Sequence, residues 1–196
     1  MMEIVKNILL SDNVVEKIRN NLNELLKVIP EISSMIHFEH KHPHHHLDVW
    51  EHTLCALSYS PNDFDIRLAL LLHDIGKPKS YQEKEGFRHF KGHAEESSKI
   101  ANNILKRLGF NEKYIQYICD IVRLHDTPLT EKNIKENPFL SKKIFEVQKC
   151  DTMAHNPVYN KKRIDYLQNI EQLLKKQDKN NINLIMLKNS KIVKGK

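Results

Sequence analysis

Apolar positions recur at helical spacing along most of the chain, and one stretch has no polar face at all. Leu68-Ala69-Leu70-Leu71-Leu72 places five apolar residues in a row, so a helix here is buried on every side and forms the centre of a bundle. Gly76 and Pro78 stop that helix, and His73, Asp74 and Lys77 gather at its end. An imidazole, a carboxylate and an ammonium at the end of the most buried helix cost several kcal/mol unless they are paired or metal-bound. That cost points to a site.

The remaining pattern predicts helices on both sides of this centre. Ser11 or Asp12 caps a first helix to about Val28, carrying Val14, Ile18, Leu22, Leu25 and Leu26, and Pro30 ends it. Residues 37–46 are rich in histidine and broken by Pro43, which makes them a loop. Asp48 with Glu51 three residues on resembles a capping box for a helix to about Tyr59. Residues 76–92 are polar and glycine-containing, an excursion with a small hairpin around Glu85-Gly86 that could cover a site. Further helices are predicted over 93–108, from Asn111 to about His125, from Thr130 to before Pro138, over 139–153 and over 158–176, with no assignment beyond Asn180. Strand signals are nearly absent. The expected fold is an all-α compact multi-helix bundle, divided into an N-terminal helical extension (1–40), a central domain (41–177) and a basic C-terminal tail (178–196).

Composition narrows the class. Of the 196 residues, 40% are apolar and 29% charged, which fits a globular chain. No apolar run approaches the roughly 20 residues that a membrane helix needs, and the N-terminus lacks a signal-peptide pattern. The chain is therefore read as cytoplasmic and without a membrane partner. Cys55, Cys119 and Cys150 are odd in number and far apart, which argues for free thiols in a reducing compartment. The net charge of +6 is concentrated between Lys161 and Lys196, where ten basic and three acidic residues leave the first 160 positions near −1. A solvated tail is the preferred reading of this segment; an arm tracking RNA phosphates is the alternative and would show steep salt dependence. The pattern does not fix an oligomeric state. It shows no internal repeat and no glycine-rich phosphate loop.

Twelve histidines in 196 residues are more unusual. His52, His73, Asp74, His93, His125 and Asp151 fall on different predicted helices or helix ends, and a bundle core is where such ligands converge. Imidazole and carboxylate without thiolate suit Mn, Fe, Ni, Co or Zn and argue against a structural zinc knot. His37, His40, His42, His44 and His155 are read as surface residues.

The order His, His-Asp, Asp is the signature of the HD-domain superfamily of metal-dependent phosphohydrolases. The stretches His45-His46-Leu47-Asp48-Val49-Trp50-Glu51-His52, Leu71-Leu72-His73-Asp74-Ile75-Gly76-Lys77-Pro78, Phe90-Lys91-Gly92-His93 and Leu124-His125-Asp126 resemble the HD domain of bacterial CCA-adding nucleotidyltransferases. That resemblance runs over about residues 42–155. The nucleotidyltransferase head of those enzymes, with its Gly-Ser pair, has no counterpart here, so a stand-alone HD domain is expected and nucleotide addition to tRNA is not implied. By this resemblance His52, His73, Asp74 and Asp151 hold one divalent ion. By resemblance to two-metal branches, His93 and His125 hold a second, with Asp74 bridging; the two instead bind substrate phosphate if there is one ion. Mg is a further candidate metal. Asp74 and Lys77 take catalytic roles, and His45, Lys77, Arg88 and Arg123 contact the substrate. Asp48 is read as a helix cap. The implied activity is hydrolysis of a nucleotide, cyclic nucleotide or small phosphate ester, as a phosphomonoesterase or phosphodiesterase, by a metal-activated water. A di-iron oxygenase on the same scaffold and a regulatory nucleotide- or RNA-binding module are the alternatives.

Overall fold

The computed structural model describes the backbone of residues 1–193 and the side chains of residues 1–179. Most of the basic segment 178–196 therefore lies outside the described side chains, and residues 194–196 lie outside the described residues altogether.

The all-α bundle is present. Its centre is α5 (Phe64–Leu72), in which every residue from Ile66 to Leu72 is buried. Asp63 caps it, accepting from the Ile66 amide at 3.1 Å. α4 (Val49–Ser58) lies beside α5, and its Asp48 cap accepts from Glu51 N at 2.8 Å; the Glu51 carboxylate pairs with Arg19 instead of closing a capping box. α7 (His93–Leu108) and α8 (Glu112–Leu124) form a packed pair, separated by Gly109 in the left-handed region at φ 88°. α10 (Pro138–Ala154) packs on α4, α5 and α8 and so closes the core around α5. Between them, the short α9 (Glu131–Glu136) is held by a reciprocal cap between Thr130 and Asn133.

The polar excursion is the predicted hairpin, β1 (Gln82–Lys84) against β2 (Phe87–His89), turning at Glu85-Gly86. These are the only strands among the described residues. No described helix is long and apolar enough to cross a membrane. All three cysteines are free.

Two stretches differ from the pattern. The N-terminal segment is not one helix but three: α1 (Met2–Leu9), α2 (Val14–Asn20) and α3 (Leu22–Val28), followed by a 3-10 turn at Pro30–Ser34. Asn13, rather than Ser11 or Asp12, caps α2, and Asn21 ends it by donating Nδ2–H to Lys17 O at 2.8 Å. The apolar spacing continues across Asn21 because α2 and α3 both face the core, which hides the break. α1 is fixed by a buried arginine: Arg67 Nη1 on α5 donates to Leu9 O at 2.7 Å and Ser11 O at 2.8 Å. The last helix also differs. Pro157–Tyr159 is a 3-10 turn, and α11 runs from Lys161 to Val193 rather than ending near Lys176. No glycine or proline occurs between Lys161 and Val193, so nothing in the sequence interrupts propagation.

Candidate metal centre

The central helix ends at Leu72, and His73 and Asp74 fall in the turn that follows, ahead of the short α6 (Lys77–Ser80) with Pro78 in its first turn. This places both side chains at the closed end of the bundle, 0% and 1% exposed. Gly76 brings that turn against α7: a Cβ there would lie 2.5 Å from Ser97 N and 2.8 Å from His93 O. The Gly76 amide donates to Ser97 Oγ at 2.9 Å. His93 at the start of α7 and His125 at the end of α8 thereby face Asp74, while His52 from α4 and Asp151 from α10 approach from the other side. The six residues expected as ligands converge.

Their orientation is set by backbone carbonyls. His73 Nδ1 donates to Leu70 O at 2.7 Å, His93 Nδ1 to Phe90 O at 2.8 Å and His125 Nδ1 to Val122 O at 2.6 Å. Each Nε2 is left pointing inward, the usual way in which a metal-binding imidazole is held. Asp74 Oδ2 lies 3.2 Å from His73 Nε2 and 3.6 Å from His52 Nε2, and its Oδ1 lies 3.5 Å from His93 Nε2 and 3.8 Å from His125 Nε2. One carboxylate thus presents an oxygen to each half of the cluster.

Charge distribution makes this arrangement a poor fit to protein groups alone. Burial works against a charge on His73, but the Asp74 and Asp151 carboxylates outweigh it and lift its pKa to about 10. Burial opposes ionisation of Asp74 too, yet His73 and Lys77 hold its pKa well below the usual range. His125 goes the other way: burial, then the neighbouring His73 and His93, push it down to about 3, so it is neutral. With its Nδ1–H committed to Val122 O, its Nε2 is a lone pair, and it stands 3.2 Å from His93 Nε2. His52 is also held neutral by burial, and its single N–H cannot serve both Ala154 O at 3.3 Å and Asp151 Oδ1 at 2.8 Å. His73 Nε2 and both Asp74 oxygens make no well-aligned hydrogen bond, although charged groups are near. Lone pairs turned toward one another in a buried site are what a cation would relieve. Three sets of donor atoms lie close enough to share an ion: His52, His73 and Asp74; His52, Asp151 and His155; Asp74, His93 and His125. The donors fit one or two divalent ions.

Above the cluster a cavity of about 400 Å³ opens. Its carboxylate-and-imidazole floor is ringed by Lys77, Arg88, Lys91 and Arg163. The sequence profile of the HD domain matches residues 43–178, most of the chain and all six of the converging histidine and aspartate residues. The chain belongs to the HD domain family. Among curated proteins it is similar to a CC-adding tRNA nucleotidyltransferase of Thermus thermophilus, 33% identical over 111 residues, which are 53% of this chain and 25% of that protein. It is also similar to an A-adding tRNA nucleotidyltransferase of Deinococcus radiodurans, 31% identical over 106 residues, 50% of this chain and 24% of that one. The chain spans about a quarter of the length of the curated relatives it matches.

Around the HD cluster, the expected substrate-contacting residues divide. Lys77 is a buried cation, 2.6 Å from Asp74 Oδ2 and 3.0 Å from His40 Nε2. His45 and Arg88 line the cavity; Arg88 is held over Phe38 and Tyr81 and donates to Glu39 O at 2.6 Å. Arg123 is not in this cavity. It pairs with Asp120 at 2.8 Å on the outer face of α8, because two residues before His125 a helix points the other way.

Two histidines read as surface residues are buried. His40, 2% exposed, donates Nδ1–H to Leu47 O at 2.8 Å, accepts from Lys77 and stacks on His45 at 3.8 Å. His155, 4% exposed, donates Nδ1–H to Asp151 O at 2.7 Å and accepts from Arg163 at 2.6 Å. Burial lowers the first to about 2 and the second to about 4, so both are neutral. The spacing of His155, four after Asp151 on one helical face, was a usable signal. His40 had none, lying in a loop of many histidines. His37 and His44 are exposed as expected, and His42 is half-buried at the cavity mouth.

Proposed function

We propose that this HD domain is a metal-dependent phosphohydrolase acting on a nucleotide, cyclic nucleotide or small phosphate ester. The observation that carries the reading is a buried His/Asp cluster, whose Asp74 oxygens and His73 Nε2 make no well-aligned hydrogen bond, at the floor of a cavity whose walls bear four cationic side chains. A floor that attracts cations and a wall that attracts anions suit a phosphate held against metal.

His52, His73, Asp74 and Asp151 would hold the first ion; His93 and His125, with Asp74 between, would hold the second. The ions would supply an activated water and withdraw charge from the phosphoryl oxygens. Lys77, fixed between Asp74 and His40, orients its ammonium toward the non-reacting phosphate oxygens and neutralises charge that builds there. Arg88 and Arg163 fix the phosphate from the rim. His45 lines the cavity, and burial, then Lys77, holds its ring neutral, so it offers the substrate a hydrogen bond without adding charge. The cationic walls favour this reading over a di-iron oxygenase. The relatives are named as tRNA nucleotidyltransferases, which supports a substrate that is a nucleotide or an RNA end, with a phosphomonoesterase or 2′,3′-cyclic phosphodiesterase reaction foremost.

The test is a panel of nucleoside monophosphates, 2′,3′-cyclic nucleotides and dinucleoside polyphosphates with Mn, Co or Ni. At least one class is expected to be hydrolysed, with both hydrolysis and metal retention lost in Asp74→Ala. Undiminished turnover in that variant would defeat the assignment.

A further inference from the structure

A second cavity, of about 270 Å³, opens beside the one above the metal cluster. The two share His125, Asp126 and Arg163 as a common wall. Past that wall the character of the surface changes: the second cavity is lined mainly by apolar surface, contributed by residues that include Pro128, Thr152 and Tyr166. Two of its polar side chains, Tyr166 and Gln148, are already paired. The Tyr166 hydroxyl accepts from Leu129 N at 2.8 Å and donates to Gln148 Oε1 at 2.9 Å, and Gln148 Nε2 donates to Thr127 O at 2.7 Å. A ligand there meets mainly apolar surface.

The shared wall carries the charge. Arg163 Nη1 donates to His155 Nε2 at 2.6 Å, while Nη2 lies 3.4 Å from Asp151 Oδ2 and 3.3 Å from Asp126 Oδ1. Arg163 therefore stands at the junction, a third exposed, with the metal cluster on one side and the apolar cavity on the other. Asp126, half exposed at the same junction, is a carboxylate that would accept from a hydroxyl and repel a second phosphate. Lys162 is at the solvent side of the second cavity.

Taken with the phosphohydrolase reading, on which this rests, we propose that the second cavity holds the leaving alcohol of the phosphate ester, and that this alcohol bears a ring. The phosphate lies over the metal cluster, Arg163 spans the junction, and hydroxyl groups near the ester meet Asp126. In the reaction a water oxygen bonds to phosphorus, the ester P–O bond breaks, and the alcohol departs with a proton into the second cavity.

The experiment compares two non-hydrolysable anions, benzylphosphonate and methylphosphonate, binding to the Mn-loaded full chain by titration calorimetry. Burying the ring should make benzylphosphonate about tenfold tighter or more. That ratio should fall toward one in Thr127→Trp and in Lys162→Trp, which fill the cavity from its two exposed sides, with folding checked by circular dichroism. A ratio near one in the unmodified protein, or a ratio unchanged in either folded variant, overturns the second cavity as a subsite while methylphosphonate binding keeps the phosphohydrolase reading standing. Binding of neither phosphonate overturns both.

Discussion

Raising the pH from 6.5 to 8.5 should tighten the first divalent ion by about tenfold per pH unit, and the reason lies in one proton. Burial disfavours a charged His73, but Asp74 and Asp151 raise its pKa to about 10, so it enters this window as an imidazolium whose Nε2–H occupies the position that an ion would take. His52 is already neutral, because burial outweighs the Asp151 contact. Asp74 and Asp151 are already ionised: burial opposes this, but for Asp74 the charges of His73 and Lys77 prevail, and for Asp151 the facing His155 ring and the His52 hydrogen bond hold the pKa well below the usual range. Of the four expected ligands, one alone carries a proton that the ion must displace. One displaced proton is a tenfold change per pH unit, about 1.4 kcal/mol. Histidines of ordinary pKa, near 6.5, would give almost no slope above pH 7. The assay is chelator competition with Co or Mn across this range, together with calorimetry in two buffers of different ionisation heat to count protons released. One proton is expected; a flat affinity, or the release of three or more, would refute the reasoning.

The same shift governs the metal-free protein. A folded-state pKa raised above the unfolded value gives stability that is complete below about pH 6.5 and lost as pH climbs toward 10, so the unfolding free energy of the metal-free chain should fall over this range, by up to about 1.4 kcal/mol per pH unit, and its melting temperature with it, while the loaded chain loses less. Gly76→Ala should cost about 1–3 kcal/mol and separate His93 from Asp74, because the new Cβ meets backbone of α7 at 2.5–2.9 Å; metal analysis should drop from two ions toward one. Arg67→Ala should cost about 3 kcal/mol and free α1, read as faster hydrogen exchange at Val5 and Ile8, because the Leu9 and Ser11 carbonyls lose their buried donor. Unchanged exchange there would show that α1 is held by apolar packing alone.

The sequence made contiguous features easy to read. Leu68–Leu72 had to be central because no face was polar, and His73-Asp74 followed directly from where that helix stops. Asp48, Asn111 and Thr130 announced their helices through capping chemistry that is local by nature. What stayed hidden depends on distant partners. His40 is buried because Lys77, 37 positions later, lies against it, and no periodicity in a histidine-rich loop tells which ring turns inward. Arg163 and Arg67 look like surface charges until the carbonyls, imidazole and carboxylates that neutralise them are in place. Arg123 was misplaced because proximity in sequence to His125 is not proximity in space on a helix.

The central claim is that side chains from five separate segments meet to hold cations on either side of Asp74. Anomalous scattering from crystals of the Co- or Mn-loaded protein tests it most directly. Two peaks are expected, one among His52, His73 and Asp151 and one between His93 and His125, with Asp74 touching both. Peaks only at exposed residues such as His37 and His44, with the six donors of the cluster left paired to one another, would contradict it.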